Sequence, residues 1–345
     1  MMKRILALLP VILCLLTLSS CAPSAQKEMS FFAMDTYMSI KLYEKSSEKA
    51  ANDVKKSAES LDALLSVTKD NSDIHRLNQA KGEPVAVEEQ TFSVIEHAAA
   101  LCADLDGYLD LSLYPVSKAW GFTTDDYRVP EKDEIEKLLT HTDYRKIRTD
   151  QQENTVTLPE DMQIDLGAFA KGYLADLAVG ILKESDDVSG IIDFGGTILP
   201  WGMKNKKDLW KVGIQDPENP SSCFGTLSLT EKVISTSGGY ERYFTGKDGK
   251  RYIHIIDPKT GYPVDNGTLS VTVVCDVGIC ADALSTALFV MGEEKAAEFY
   301  RADSKYDFEY ILLGDNNELF VSEGISECFA LCDGYDYSVN VIKKS

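Results

Sequence analysis

Residues 164–176 read Ile-Asp-Leu-Gly-Ala-Phe-Ala-Lys-Gly-Tyr-Leu-Ala-Asp, and the rest of the chain is organised around this stretch. Asp165 lies between apolar residues, and the small residues Gly167 and Ala168 allow another group to approach the backbone closely. An apolar repeat at i and i+4 follows and predicts a helix, with Lys171 in its first turn. Because a helix N-terminus attracts anions, this arrangement predicts phosphate binding. The alternative is a buried helix start with a solvated lysine.

Composition limits the partners that this chain can bind. Its 345 residues carry a formal net charge of −20, and 44% are hydrophobic, which is ordinary for a globular protein. A surface this acidic repels nucleic acid and anionic lipid, which excludes both as direct partners. It also repels nucleotides unless cations offset the charge, so a divalent cation is expected at any phosphate site.

The first twenty residues are typical of a lipoprotein signal peptide. Lys3 and Arg4 precede an apolar segment at residues 5–18 that is short for a membrane span, and Leu-Ser-Ser-Cys ends at Cys21. We therefore expect cleavage before Cys21, acylation (including palmitate) of that residue, and a tether at residues 21–29. The mature protein is then extracytoplasmic and lipid-anchored to the cell membrane. An ordinary secretory signal with an incidental cysteine is the alternative.

Six cysteines remain after the signal and the lipidated residue: Cys102, Cys223, Cys275, Cys280, Cys328 and Cys332. An exported chain permits disulfides, but the spacing does not assign the pairs. The last four could suggest a zinc site. The absence of a Cys-x-x-Cys motif and an apparent strand before Cys275 disfavour zinc.

The patterns of the remaining chain predict an α+β fold with a largely antiparallel sheet core and flanking helices. Residues 31–42 have the composition of a single strand, whereas residues 46–65 and 91–105 have helical apolar periodicity. An acidic surface helix is expected at residues 125–139. No repeat or linker divides residues 30–345, which we interpret as one domain.

Two later segments carry groups suited to chemistry on phosphates. Residues 236–242, Thr-Ser-Gly-Gly-Tyr-Glu-Arg, combine hydroxyls, glycines and an arginine, as an anion site does, although a hairpin bend would look similar. His254 lies in an apolar strand shortly after them. Asp282 and Thr286 are spaced i and i+4 on a predicted helix, so their oxygens share one face and suit Mg²⁺.

The ordered motifs together resemble one family. Asp-Leu-Gly-Ala-Phe-Ala-Lys-Gly-Tyr at 165–173, Thr-Ser-Gly-Gly-Tyr at 236–240, His-Ile-Ile-Asp-Pro-Lys-Thr-Gly at 254–261 and Asp-Ala-Leu-Ser-Thr-Ala at 282–287 follow Met-Asp-Thr at 34–36. This set closely resembles the ApbE family of FAD:protein FMN transferases, over residues of about 30 to about 340.

The resemblance implies a magnesium-dependent enzyme that transfers the FMN half of FAD to a Thr or Ser hydroxyl of another protein. The product would be a phosphoester-linked flavin, and AMP would leave. The usual acceptors are extracytoplasmic flavoprotein subunits of ion-pumping or electron-export complexes. Family positions that contact FAD fall on Met34, Tyr108, Leu109, Asp110, Asp165, Lys171 and Ile256.

The same resemblance implies that Asp282 and Thr286 bind Mg²⁺ through side-chain oxygens, that Ala168 does so through its carbonyl, and that the adjacent Ser285 contributes. His254 matches a family histidine near the pyrophosphate, and our hypothesis is that it removes the proton of the acceptor hydroxyl. Asp282 is the alternative base.

Two positions depart from the family pattern. Asp35 stands where glycine is common, and Thr68 stands where an aromatic residue often covers the flavin. The looser pocket implied by Thr68 would admit water, which leaves open an FAD pyrophosphatase that releases FMN and AMP. A lipoprotein that binds FAD without chemistry is a separate alternative.

Overall fold

The computed structural model describes residues 26–302 and 305–344, and a nine-stranded sheet lies at the centre of these residues. In chain order the strands are β1 (Gln26–Ala33), β2 (Thr36–Tyr43), β3 (Val85–Ala86), β4 (Arg148–Asp150), β5 (Thr155–Thr157), β6 (Ser189–Asp193), β7 (Thr197–Trp201), β8 (Trp210–Gln215), β9 (Cys223–Leu229), β10 (Val233–Gly238), β11 (Tyr243–Thr245), β12 (Arg251–Ile253), β13 (Thr268–Cys275), β14 (Phe308–Gly314), β15 (Glu318–Ser322), β16 (Phe329–Leu331) and β17 (Ser338–Ile342). The helices are α1 (Ser47–Leu65), α2 (Asp73–Gln79), α3 (Glu89–Asp104), α4 (Tyr114–Ala119), α5 (Lys132–Leu139), α6 (Ala170–Lys183) and α7 (Gly278–Ala302).

The central sheet has the strand order β1-β2-β6-β7-β10-β13-β14-β15-β17. All of its neighbouring strands are antiparallel except β15 and β17, which are parallel. A smaller sheet of β16, β9 and β8 covers part of one face. The predicted α+β class with a largely antiparallel core is therefore confirmed.

The central strands are buried on both faces, and the two cores follow from the alternation of side chains along a strand. On β13, Val273 packs into the larger core beside α1, α3, α6 and α7, whereas Val274 packs into the second core. That second core lies against the small sheet, where Phe224 and Leu227 face it. These layers hold α6 and α7 on one side of the central sheet.

The prediction of a single strand at residues 31–42 is wrong. The chain turns at Met34 and Asp35, whose φ angles of 52° and 57° are left-handed, and β1 pairs with β2 on either side of them. Left-handed backbone at both central residues suits a two-residue hairpin turn, because its twist matches that of the strands. The turn presents Met34 and Asp35 at one end of the sheet.

Some predicted boundaries also need correction. The surface helix expected at 125–139 begins only at Lys132, after residues 126–131, which form no helix or strand. Residues 26–29, predicted as part of the tether, belong to β1, because they pair with β2 from Gln26 onwards. The predicted signal peptide and Cys21 lie outside the described residues. Within the described ranges no helix has the length and apolar character that crossing a membrane requires.

Candidate active site

A cavity of about 490 Å³ opens where the β1–β2 turn, the start of α6, the end of β10 and the first turns of α7 meet. Most of the residues that the sequence singles out line it: Met34, Leu109, Asp110, Asp165, Ala168, Lys171, His254, Ile256, Asp282 and Thr286. These residues are far apart in the chain, so the fold has gathered the separate motifs around one space.

The beginnings of α6 and α7 cross with their backbones in contact. A Cβ added at Gly172 would lie 2.2 Å from the carbonyl oxygen of Gly278, and one added at Gly278 would lie 2.3 Å from the carbonyl oxygen of Gly172. Only glycine fits at both positions, because any side chain would force the helices apart. This close crossing places the start of each helix beside the side chains of the other.

Each helix start is capped by a carboxylate of the other helix. The Gly172 N–H donates to Oδ2 of Asp282 at 2.9 Å, and Asp176 accepts from the N–H groups of Gly278 (2.6 Å) and Ile279 (2.9 Å). An N–H group at position 172 would ordinarily donate to the carbonyl of residue 168. The donation to Asp282 frees the Ala168 carbonyl from this bond, so its oxygen is available at the cavity wall.

We expect Asp176→Asn to affect the stability of the fold more than the rate of the reaction. An amide has one acceptor oxygen where the carboxylate has two, so one cap bond of α7 is lost, at a cost of about 1–2 kcal/mol. The melting temperature should fall by a few degrees in a thermal unfolding scan. Asp186→Asn, at an exposed position three residues beyond α6, is the matched control and should leave the melting temperature unchanged. Equal melting temperatures for Asp176→Asn and wild type would refute the capping role.

Several hydroxyl groups lie around Asp282. Ser235 donates to its Oδ1 at 3.0 Å, and the Ser237 hydroxyl lies 2.9 Å from that of Ser285 and 3.1 Å from that of Thr286. Ser285 also donates to the carbonyl of Asp282 at 2.9 Å and is fully buried. Ser285 therefore lies behind the cavity wall, whereas Ser237 and Thr286 face the cavity.

His254 is held in one tautomer. Its Nδ1 lies 3.2 Å from the carbonyl oxygen of Arg242, which can only accept, so Nδ1 carries the proton and Nε2 is left unprotonated in the neutral ring. Burial and then the nearby Arg242 charge lower the pKa of His254 from 6.5 to about 4. The side chain is thus a neutral imidazole at physiological pH, with a free nitrogen to accept a proton.

Two half-buried carboxyl groups also line the cavity. Asp165 accepts from the Gly167 N–H at 2.7 Å, and Asp110 accepts from the hydroxyl of Ser112 at 2.6 Å. Desolvation raises the pKa of both, and the hydrogen bonds that they accept oppose that rise. Such carboxylates suit recognition of N–H or hydroxyl groups on a ligand.

Lys171 extends from the first turn of α6 to the glycine pair after β6. Its ammonium donates to the Gly195 carbonyl at 2.9 Å, and Asp193 accepts from the N–H groups of Gly195 (2.8 Å) and Gly196 (3.3 Å). A Cβ on Gly195 would lie 2.2 Å from the Thr36 hydroxyl, so glycine also keeps the β1–β2 turn close. The lysine charge is thereby fixed at the cavity wall.

Some predicted residues lie elsewhere. Tyr108 does not line the cavity, and the Lys259 ammonium covers its ring at 3.6 Å. Trp120 does not line the cavity either, since it is fully buried and donates to the Gly261 carbonyl at 2.9 Å. The aromatic residues that line the cavity are instead Tyr114, Phe122 and Phe169. Val67 and Thr68 form the wall where the family pattern has an aromatic residue.

Sequence reasoning left Ser237 and Arg242 out of the site, although it had selected their segment as an anion site. Arg242 lines the cavity and is positioned by its donation to the Phe122 carbonyl at 2.9 Å. Among the described residues, no group of three or more His, Cys, Asp or Glu side chains is placed to hold a metal ion. The site combines several carboxyl groups, hydroxyls and a backbone carbonyl with two cations and a neutral histidine.

Comparison with known proteins gives consistent results. The model of the ApbE family matches residues 34–312. The FAD:protein FMN transferase of Treponema pallidum is 35% identical over 254 residues, covering 69% of this chain and 70% of that protein, and the one of Klebsiella pneumoniae is 32% identical over 262 residues, covering 75% and 80%.

Solved structures of ApbE proteins have the same fold as this chain. The ApbE protein of Thermotoga maritima has a TM-score of 0.82 and 32% identity, covering 88% of this chain and 99% of that one. The flavin transferase ApbE of Vibrio cholerae has a TM-score of 0.74 and 28% identity, covering 85% of this chain and 94% of that one. The family match at residues 34–312 includes every cavity-lining residue named above.

Proposed function

Because this chain belongs to the ApbE family, we infer that it is a FAD:protein FMN transferase, an enzyme that moves FMN from FAD to an acceptor protein. The observation that carries this function is the convergence of the separate family motifs on one cavity. Incubation of the purified chain with FAD, Mg²⁺ and extracytoplasmic proteins of its source organism tests it. At least one protein band should become flavin-fluorescent after denaturing electrophoresis, and none should do so without the chain.

We propose that the site holds Mg²⁺ at Asp282, Thr286 and the carbonyl of Ala168. All three offer the hard oxygen ligands that Mg²⁺ prefers, and all three line the cavity. Each Asp282 oxygen accepts one protein hydrogen bond, which fixes the carboxylate and leaves lone pairs for a cation. A bound magnesium ion would neutralise pyrophosphate charge and stabilise the leaving phosphate. Ser285, buried behind Ser237, supports this arrangement without facing the cavity.

The proposed reaction is attack by a Thr or Ser hydroxyl of the acceptor on the FMN phosphorus. The bond from that phosphorus to the bridging oxygen breaks, and AMP leaves. His254 accepts the hydroxyl proton on Nε2, since its other nitrogen is held by the Arg242 carbonyl. Lys171 and Arg242 bring positive charge to the anionic substrate in a chain whose net charge is −20.

The lowered pKa of His254 predicts the pH dependence of the rate. A base with a pKa of about 4 stays unprotonated down to acidic pH, so the rate at saturating FAD should be level between about pH 8 and about pH 5. Arg242→Gln removes one cause of the lowered pKa, and the rate of this variant should begin to fall at a higher pH. Arg128→Gln, whose side chain pairs with Glu134, is the control and should keep the wild-type profile. AMP release measures the rate, and a wild-type fall centred near pH 6.5 would contradict the assignment.

We propose that the enzyme acts outside the cytoplasm, anchored through Cys21, on a flavoprotein subunit of an ion-pumping or electron-export complex. The sequence pattern supports this proposal, and the geometry is compatible with it. From Gln26, five residues after Cys21, β1 runs for eight residues to the turn that lines the cavity, a rise of about 26 Å. An anchor at Cys21 would leave the cavity at the end of β1 away from the anchor.

Two exposed aromatic residues flank that turn and are suited to contact the acceptor. Tyr37 is 78% exposed and Phe32 60%, the highest values among the large apolar side chains of the described residues, and their rings form an edge-to-face pair. The double variant Phe32→Ser with Tyr37→Ser should weaken labelling of acceptor proteins in the fluorescence assay, with FAD affinity unchanged. Val339→Ser with Val341→Ser, on the opposite edge strand β17, is the matched control. Equal labelling by both double variants would exclude this contact.

A further inference from the structure

Two cysteines outside the active site lie in contact on the small sheet. The Sγ atoms of Cys223, the first residue of β9, and Cys332, just after β16, are 3.8 Å apart. The Cys332 N–H donates to the Phe224 carbonyl at 2.9 Å, which holds the two backbone segments at the spacing of paired strands. Both cysteines are half-buried, so a reagent in solution can reach them.

The other described cysteines are less suited to pairing. Cys102, Cys275 and Cys280 are buried in the larger core, away from solvent oxidants. Cys328 is half-buried just before β16, and its carbonyl accepts from the Ser228 N–H, which holds that backbone against the other end of β9. The fold therefore indicates one pair, Cys223 and Cys332, whereas the spacing of the cysteines in the sequence indicates none.

We propose that Cys223 and Cys332 are a modification site that closes to a disulfide when the chain meets a disulfide-class oxidant. The thiolate of one cysteine attacks a sulfur of the oxidant and forms a mixed disulfide, releasing one thiol. The second cysteine then displaces the other half of the oxidant as a thiol. The two departing thiols take up the two protons that the cysteines lose, and the oxidant gains the two electrons that the cysteines lose. Rotation of the side chains brings the sulfurs from contact to bonding distance.

Closing this bond would join segments that are 109 residues apart in the chain. The loop so closed contains β10, β13 and α7, which carry Ser237, Asp282 and Thr286. A cross-link over so long a loop restricts the unfolded chain strongly and stabilises the folded one. Neither cysteine lines the cavity, so the chemistry at Asp282 and His254 should be unaffected. Burial and the contact with Cys223 raise the pKa of the Cys332 thiol, so oxidation should be faster in alkaline buffer.

The test compares the purified full chain after incubation with oxidised glutathione and with dithiothreitol. We expect the oxidised chain to lose two free thiols, and its non-reduced digest to contain a peptide that links Cys223 to Cys332. Its melting temperature should rise by several degrees. Cys223→Ser and Cys332→Ser should each abolish this rise, while Cys328→Ser, the matched control, should retain it.

Three results would overturn the proposal: a link that involves Cys328, a stable glutathione adduct on one cysteine, or no loss of thiols in the wild-type chain. Peptide mapping of the wild-type chain decides between these outcomes even if a serine variant folds poorly. FMN transfer should proceed at the same rate in the oxidised and reduced chains, which separates this site from the catalytic one.

Discussion

Asp282→Asn should reduce the rate of FMN transfer by about 10²–10³-fold while leaving the fold intact. The asparagine oxygen can still accept from the Gly172 N–H, so the start of α6 keeps its cap. The negative charge that would hold Mg²⁺ is lost, however, and so is the charge neutralisation that phosphoryl transfer requires. Initial rates of AMP release at several Mg²⁺ concentrations measure the effect. Partial recovery at high Mg²⁺ is expected, because a weakened site fills at a higher concentration.

A second readout does not depend on turnover. Magnesium binding should raise the melting temperature of the wild-type chain, and this rise should disappear in Asp282→Asn. Asp176→Asn provides the contrasting variant, since it lowers stability without removing a proposed ligand. Asp282→Asn with a normal rate and a normal response to Mg²⁺ would contradict the proposed metal site.

His254→Ala should lower the transfer rate by about 10²–10⁴-fold, because no other neutral base lines the described cavity. FAD affinity should change little, since the proton acceptor acts on the incoming hydroxyl. A titration of FAD by flavin fluorescence separates binding from rate. Added imidazole should restore part of the alanine variant's rate by occupying the space that the ring has left.

His254→Asn distinguishes a base from a structural residue. The asparagine amide can donate to the Arg242 carbonyl as Nδ1 of the histidine does, but it cannot accept a proton near neutral pH. A histidine with only a structural role would be replaced well by asparagine. We expect this variant to be as slow as the alanine variant, and a near-wild-type rate would exclude proton removal by His254.

The sequence predicted the elements whose signals are local. The helix after Phe169 and the one that contains Asp282 and Thr286 follow from apolar periodicity and from spacing within a few residues. Placement of their chemical groups around one cavity came from the resemblance of the ordered motifs to a family. Neither signal required knowledge of which strands pair.

The remaining features depend on pairing in three dimensions. The sequence predicts a strand at the Met34–Asp35 turn, because no glycine marks its left-handed backbone. Asp176 caps the start of α7 only because α6 and α7 cross. These helices start at Ala170 and Gly278, which are 108 positions apart in the chain. The contact between Cys223 and Cys332 likewise depends on β9 and β16 being neighbours, which spacing alone does not reveal.

The products of FAD test the central claim most directly. The purified chain is incubated with FAD, Mg²⁺ and acceptor proteins, and AMP, free FMN and protein-bound flavin are quantified together. FMN transfer predicts equal amounts of AMP and protein-bound flavin, with little free FMN, and a reaction about 10²–10³-fold slower in the Asp282→Asn variant. Equal amounts of AMP and free FMN without labelled protein would identify a pyrophosphatase, and unchanged FAD would identify a binding protein; either result would contradict the account.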